Sequence, residues 1–366
     1  MDVYKFIAWA DTHWDKFGAK CVTLDDTDRV ERAIFERARQ GGFDFTLFAG
    51  DRYLKREPDD ETKVRADRVI YDLVHQGSIP HYHLIGNHDW TDNTRRWHTA
   101  ESMKLFNNVF VMDQAATWKY KNVSIHALPA DFEFDFSKYV INPHGLNIFV
   151  FHDTVVGVYM NEQKTLKFDT GLLLEEIDRP EFDIVFAGDI HVRQAFPLKN
   201  TRGGYLGSVV QRTRADAHSE RGWTEITATN TGSGWSFDVK FVSTRNLFSK
   251  VAFSVNEKTQ VKDLVIDRSD VEDQLVEVKL MGDKAHVDRI ADDASWKRLG
   301  QELGARRIEL LRAYEAAQSE VVVDLTSSDS VLGDLELYLD SSFSSLGQLK
   351  REAIVDTVRR LSGSEA

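Results

Sequence analysis

A chain of 366 residues, 42% hydrophobic and 29% charged, has material for a large catalytic domain and a smaller appendage, and its composition excludes fibrous and disordered classes. The net charge of -13 counts against a protein that grips nucleic acid with a general basic face, although carboxylates that hold metal contribute to that total. The single cysteine, Cys21, precludes an intramolecular disulfide and a cysteine-based zinc site, and the longest apolar runs, such as Leu146 to Phe151, fall far short of the ~20 residues of a membrane helix. Met1-Asp2-Val3 leads straight into strand-like sequence, so a reducing, cytoplasmic setting without membrane association is expected.

Between residue 3 and about 242, short runs rich in Phe, Val and Ile alternate with helix-length segments. Tyr4 to Ala10, Phe43 to Ala49, His81 to Ile85, Val123 to Ala127, Leu146 to Phe151 and Phe182 to Ala187 read as strands. Asp28 to Gln40, closed by Gly41-Gly42, and Glu61 to His75, ending near Gly77, read as helices. The alternation predicts an α/β domain with helices covering the sheet. Tyr205 to Val242 is richer in strand formers and is expected to make a second sheet. Phe48-Ala49-Gly50-Asp51 recurs as Phe186-Ala187-Gly188-Asp189. Two buried strands ending in glycine turns, or a relic of duplicated halves, account equally for this echo, and both put the two aspartates at equivalent strand ends.

After Val242 the texture changes. Thr244 to Glu277 and Val278-Lys279-Leu280 suggest strands, His286 to Leu303 a helix stopped by Gly304, and Arg306 to Tyr314 a strand or a helix, which together suit a small α+β unit. Val331 to Leu339 and Leu346 to Leu361 are amphipathic candidates, the second with a stripe that includes Leu346, Leu349, Ala353 and Leu361. They either dock on their own domain or offer a face to another protein.

Five polar clusters stand at the ends of apolar runs: Asp11-Thr12-His13, Gly50-Asp51, Gly86-Asn87-His88-Asp89, Phe151-His152 and Gly188-Asp189-Ile190-His191. No one of them binds a metal well, but strand ends of a single parallel sheet would bring them to a common rim. Asp11 and His13 alternate, so an extended chain sends both side chains the same way. Asp51 follows a glycine that allows a sharp turn, and its two oxygens can bridge two ions. The Asn87 carbonyl is a candidate ligand, while the adjacent His88 can face a leaving group instead. His152, Asp189 and His191 add donors from two further strand ends. Alone, such an Asp is usually a cap or turn former and such a His is usually packed or solvated; their joint, ordered occurrence is what points to a two-metal hydrolase.

The order and wording of these clusters resemble the calcineurin-like metallophosphoesterases, and within them the SbcD-type nucleases of DNA double-strand-break repair with their phage recombination relatives. The narrower resemblance rests on the segment from Thr62 to His83, on Gly207-Ser208 followed by Arg212, Glu220 and Arg221-Gly222, and on Gln194 after the last histidine. It implies a two-sheet sandwich flanked by helices over 1–242, a small α+β capping, DNA-binding domain over 243–320, and a C-terminal segment, 321–366, that binds the partner ATPase. By position it implies Asp11, His13 and His191 on one divalent ion, Asn87 and His152 on the other, Asp51 bridging, His88 as general acid or transition-state stabiliser and Asp89 orienting it. Asp189 departs from the pattern, which has histidine there. Either it ligates, favouring Mn²⁺ or Mg²⁺ over softer ions, or it does not and the second site is weak or lost.

The implied partners are DNA, an SbcC-like coiled-coil ATPase and a second copy of the chain. No Gly-rich phosphate loop ending in Gly-Lys-Ser/Thr occurs, so ATP hydrolysis would fall to the partner. Arg52, Lys55 and Arg56, Arg95 and Arg96 with Trp90 and Trp97, and Arg193, Arg212 and Arg214 cluster in the metal-side loops; they are candidates for holding DNA or else solvated loop charges. His81, His83 and His126 read as structural. The rival functions are a phosphatase or cyclic-nucleotide phosphodiesterase, and a metal-poor docking subunit of a repair ATPase.

Overall fold

The computed structural model describes residues 2–16, 22–76, 79–159, 167–212, 216–217 and 219–314, apart from the side chains of 73–76. The C-terminal amphipathic candidates, Arg214 and Cys21 therefore lie outside the described residues. In chain order the first half forms β1 (Val3–Trp9), α1 (Leu24–Gln40), β2 (Phe45–Phe48), α2 (Asp60–Gln76), β3 (His81–Leu84), β4 (Val109–Met112), β5 (Ala116–Tyr120), β6 (Val123–Leu128) and β7 (Leu146–His152). The remainder forms α3 (Leu174–Ile177), β8 (Ile184–Gly188), β9 (Gln194–Ala195), β10 (Gly203–Tyr205), β11 (Gly222–Asn230), β12 (Trp235–Ser243), β13 (Phe248–Ser254), β14 (Leu275–Gly282), α4 (Lys284–Ala291), α5 (Ser295–Leu303) and β15 (Arg307–Tyr314).

The strands build two six-stranded sheets, ordered β12-β11-β1-β2-β3-β4 and β5-β6-β7-β8-β10-β9. Alternation along each strand sorts side chains to two faces. On β1, Phe6 and Ala8 join Phe45, Leu47 and Leu84 against Ile125, Ile148, Val150 and Phe186 of the second sheet, forming the core between the sheets. Ile7, Trp9 and Phe48 face the other way, onto Ile34 and Phe35 of α1 and Val69 and Ile70 of α2. Phe149, Phe151 and Val185 line a third core on the outer face of the second sheet. Helix α1 starts four residues before the expected Asp28, because Thr23 and Asp26 form a reciprocal capping box.

The metal clusters do not share a single parallel sheet. β1 to β4 are parallel in the first sheet and β6, β7, β8 and β10 in the second, so their carboxyl ends come together from opposite layers. The region from Tyr205 to Val242 also differs from expectation: β10 extends the second sheet, while the β11–β12 hairpin pairs antiparallel with β1 and widens the first.

β13, β14 and β15 form a separate, fully parallel sheet covered by α4 and α5 around Val276, Val278, Leu280, Val287 and Ile290. The helical stretch expected from His286 to Leu303 is two helices, and Gly304 ends the second in the left-handed conformation at φ 67°. The last expected element, Arg306 to Tyr314, is a strand, β15, from Arg307 onward. This unit is seated firmly: Leu247, Phe248 and Leu275 belong to the α1–α2 core, the buried Gln211 side chain accepts from the Leu247 and Phe248 amides, and Arg306 pairs bidentately with Asp26 at 2.7 Å.

Candidate metal centre

Each cluster lies at or just past the carboxyl end of its strand, with His152 and Gly188 still paired as the last residues of β7 and β8. Asp11, His13, Asp51 and Asp189 all adopt positive φ, at 54°, 48°, 62° and 86°, a conformation that costs non-glycine residues energy and concentrates at functional sites. Backbone bonds from Asp11 to Gly50 (3.0 Å) and from His13 to Asp51 (3.1 Å) hold the first two loops together. A Cβ on Gly50 would sit 2.3 Å from His152 Nδ1, and one on Gly86 2.1 Å from Asp51 Oδ1. One on Gly188 would sit 2.1 Å from the Ala49 carbonyl. Glycine is required there because the two sheets meet without room for a side chain. The Phe-Ala-Gly-Asp echo thus marks equivalent ends of β2 and β8, one in each sheet.

Three groups of donors converge, each with ligand atoms within 4.8 Å of one another: Asp11, His13 and His191; His13, Asp51 and His88; and Asp11, Asp51 and His152. Backbone carbonyls orient the imidazoles. His152 Nδ1 donates to Ala49 (2.7 Å), His88 Nδ1 to Leu54 (2.7 Å) and His13 Nδ1 to Tyr53 (3.4 Å), so each turns Nε2 inward. His13 Nε2 faces His191 Nε2 at 2.8 Å, and His152 Nε2 lies 3.3 Å from Asp51 Oδ1. His88 Nε2 is 4.0 Å from Asp51 Oδ2, and its ring is 41% exposed, open to an incoming substrate. The Asp189 amide donates to Asp11 Oδ1 at 3.1 Å, and its carboxylate lies 3.9 Å from His152 Nε2.

The residues fit cations. Asp11 Oδ2 and Asn87 Oδ1 are buried acceptors without hydrogen-bond partners among the described residues, an arrangement that is costly unless a positive ion completes it. Burial drives the Asp11 carboxyl well above its usual range, against the pull of His152 and with added repulsion from Asp51 and Asp189. Burial likewise raises Asp189. Asp51 stays ionised, because His152, then His13 and His88, outweigh its burial. Burial pulls His191 down to about 4 and His13 well below its usual value, keeping both neutral as ligands require.

Two expected roles change. Asp89 does not touch the His88 ring: its carboxylate accepts from the amides of Asp51 and Gly86 at 3.0 Å, Arg52 at 3.0 Å and Tyr53 at 3.4 Å, pinning two loops together. Buried there and repelled by Asp51, it is raised to about 6. His88 is instead oriented by Leu54. Arg52, expected among the DNA contacts, is wholly buried in a bidentate pair with Glu31 at 2.7 and 2.9 Å and also donates to the Ala66 carbonyl. Arg212 is buried too and donates to the His13 carbonyl, while Arg95, Arg96 and Arg193 are exposed. Lys55 is paired with Asp15 at 3.0 Å. His81, bonded to Thr46 and His83, and His126, bonded to Asn147, are all buried as structural residues. The orienting carbonyls of Ala49, Tyr53 and Leu54 left no mark in the sequence. Glu31 did: it falls on the buried stripe of α1 with Leu24, Thr27, Phe35 and Ala38.

A two-sheet sandwich with donors for two cations between its strand ends defines a metallophosphoesterase. The chain belongs to the calcineurin-like phosphoesterase family, whose model matches residues 4–193. Similar solved structures include a dimetal phosphatase from Danio rerio, at 11% identity and a TM-score of 0.41, covering 66% of this chain and 98% of that one. A putative 5'-nucleotidase from Staphylococcus aureus, in complex with alpha-ketoglutarate, is 13% identical with a TM-score of 0.41, covering 66% of this chain and 54% of that one. Zinc-complexed Vps29 from Entamoeba histolytica is 11% identical with a TM-score of 0.30, covering 65% and 98%. No curated protein matches. No helix among the described residues is long and apolar enough to cross a membrane.

Proposed function

We propose that this phosphoesterase is a DNA phosphodiesterase, the nuclease subunit of an SbcCD-like repair or recombination complex. The observation that carries the reading is the convergence of Asp11, His13, Asp51, Asn87, His152 and His191, with Asp189 beside them, around a half-exposed His88. In this reading Asp11, His13 and His191 hold one divalent ion, Asn87 and His152 the other, and Asp51 bridges, with Asp189 contributing an anionic oxygen that favours Mn²⁺ or Mg²⁺. Bound there, the ions supply Lewis acidity to phosphoryl oxygens and lower the pKa of water. His88 donates a proton from Nε2 to the departing oxygen, its Nδ1 proton being held by Leu54. Asp89 fixes the loop that presents both Asp51 and His88.

The parallel three-stranded unit seated on the α1–α2 core supports a polymeric substrate, since a small phosphoester does not need such a neighbour. The SbcC-like ATPase and the homodimer enter the proposal through the motif resemblance, with residues after Thr326 as the docking segment. The test is digestion of end-labelled linear duplex and single-stranded DNA with Mn²⁺, Mg²⁺ or chelator. Mn²⁺-dependent cleavage that His88→Ala abolishes is expected. Hydrolysis of small phosphoesters without any DNA cleavage would replace the nuclease with a phosphatase, and fewer than two ions per chain with no hydrolysis would favour a docking subunit.

A further inference from the structure

The two sheets do not hydrogen-bond to each other where the edge strand β12 faces β9 and β10. Between them lies a slot of about 210 Å³, floored by Phe186, Leu206 and Thr224, with the exposed Val239 at its mouth. Two arginines flank it. Arg193, just before β9, lies 4.6 Å over the ring of Phe241, and Arg202, just before β10, lies 5.4 Å over the ring of Phe237. β9 and β10 are antiparallel, with Tyr205 opposite Gln194, so the arginines stand at opposite ends of the ladder. Their aromatic supports are four residues apart on β12, roughly 13 Å at the rise of a strand. Arg193 is at the end near His191.

Neither guanidinium has a carboxylate within ion-pair distance among the described residues, in a chain whose net charge is -13. Stacking on a ring fixes the guanidinium plane while its edge donors stay free for an anion. The slot is smaller than the ~300–1,000 Å³ that enclose a whole small molecule, and suits one planar ring. A short apolar slot between two fixed cations is the chemistry that holds a nucleic-acid strand, with phosphates on the arginines and a base in the slot. A peptide adding to a sheet edge binds through backbone hydrogen bonds and gives the two ring-stacked arginines no role.

We infer that this slot is a single-strand binding track that leads away from the metal centre, with Arg193 and Arg202 on phosphates and one base against Leu206 and Val239. The inference rests on the nuclease reading, and binding can be separated from cleavage. Fluorescence anisotropy of a labelled twelve-residue oligo-dT is measured in EDTA with the full chain. The double variant Arg193→Glu/Arg202→Glu is expected to bind about tenfold or more weakly, with its log affinity against log salt shallower by ~1.4, from ~0.7 per lost contact on a single strand. Lys138→Glu, at the opposite end of the second sheet, is expected to bind as wild type. Val239→Trp plugs the slot without changing charge; it is expected to weaken binding and leave the salt slope intact, and it serves if the double variant fails to fold. Wild-type affinity in both Val239→Trp and the double variant, or no oligo-dT binding by wild type, would overturn the track. Slot-dependent binding with no cleavage in Mn²⁺ would sink the nuclease reading and leave the track standing; cleavage with slot-independent binding would do the reverse.

Discussion

Replacing Glu31 by alanine removes the only carboxylate that Arg52 contacts among the described residues. Both residues are completely buried, and the pair makes bonds of 2.7 and 2.9 Å, with Trp14 Nε1 adding a third donor to Glu31 at 3.1 Å. In Glu31→Ala the buried guanidinium keeps the Ala66 carbonyl and the neighbouring Tyr53 hydroxyl but no counter-charge in contact. Breaking such a pair on one side costs ~3–5 kcal/mol, a large part of the ~5–15 kcal/mol that holds a typical domain. At ~2–4 °C per kcal/mol for a unit of this size, the melting temperature should fall by ~6–20 °C. Replacing both partners with apolar residues, Glu31→Leu with Arg52→Met, should recover most of that loss, because no unpaired charge remains buried. The assay is thermal melting by circular dichroism for the wild type, both single variants and the double, paired with DNA binding. Since Arg52 follows Asp51 directly, the singles should also weaken metal affinity. An Arg52→Met variant that melts like wild type but binds DNA more weakly would refute the reasoning and return Arg52 to the DNA surface.

His88→Ala should lower turnover by ~10²–10⁴-fold while isothermal titration with Mn²⁺ still gives wild-type stoichiometry; loss of an ion would move His88 into the ligand set. Asp89→Asn should destabilise the chain by ~1–3 kcal/mol in urea unfolding, since an amide cannot accept from every backbone N–H now gathered on that carboxylate. Mn²⁺ at a hundredfold over its dissociation constant should stabilise the protein by ~2.7 kcal/mol, and Asp51→Asn should remove most of that gain in the same melts. His126, held down to about 4 by burial, binds a proton in the unfolded chain near pH 6.5 but not in the folded one until about 4. Its contribution should therefore be full above pH 6.5 and fall away by up to ~3 kcal/mol as the pH drops to 4, with a flatter profile in His126→Gln.

The six expected strands and both expected helices of the first two hundred residues are present, because long apolar runs and helical periodicity are local properties that packing here reinforces. The short strands β4, β5, β9 and β10 escaped notice, and so did the early start of α1, where a capping box rather than an apolar residue sets the boundary. The donors for the cations were legible because each is a polar residue at the end of an apolar strand, where topology has to deliver it to a rim. Strand periodicity alone pointed to a rim on one parallel sheet; the two-sheet sandwich came from the motif resemblance and is what the fold shows. The sequence could not distinguish arginines: Arg52 and Arg193 sit in equally basic loops, yet one is sealed against Glu31 and the other lies open on Phe241. Residue type and spacing determined the chemistry available to this chain. Burial and partner choice depend on residues far apart in sequence, as Asp89 shows by gathering the amides of Asp51, Arg52 and Tyr53, so the tertiary structure alone decided which charged groups work and which hold the others in place.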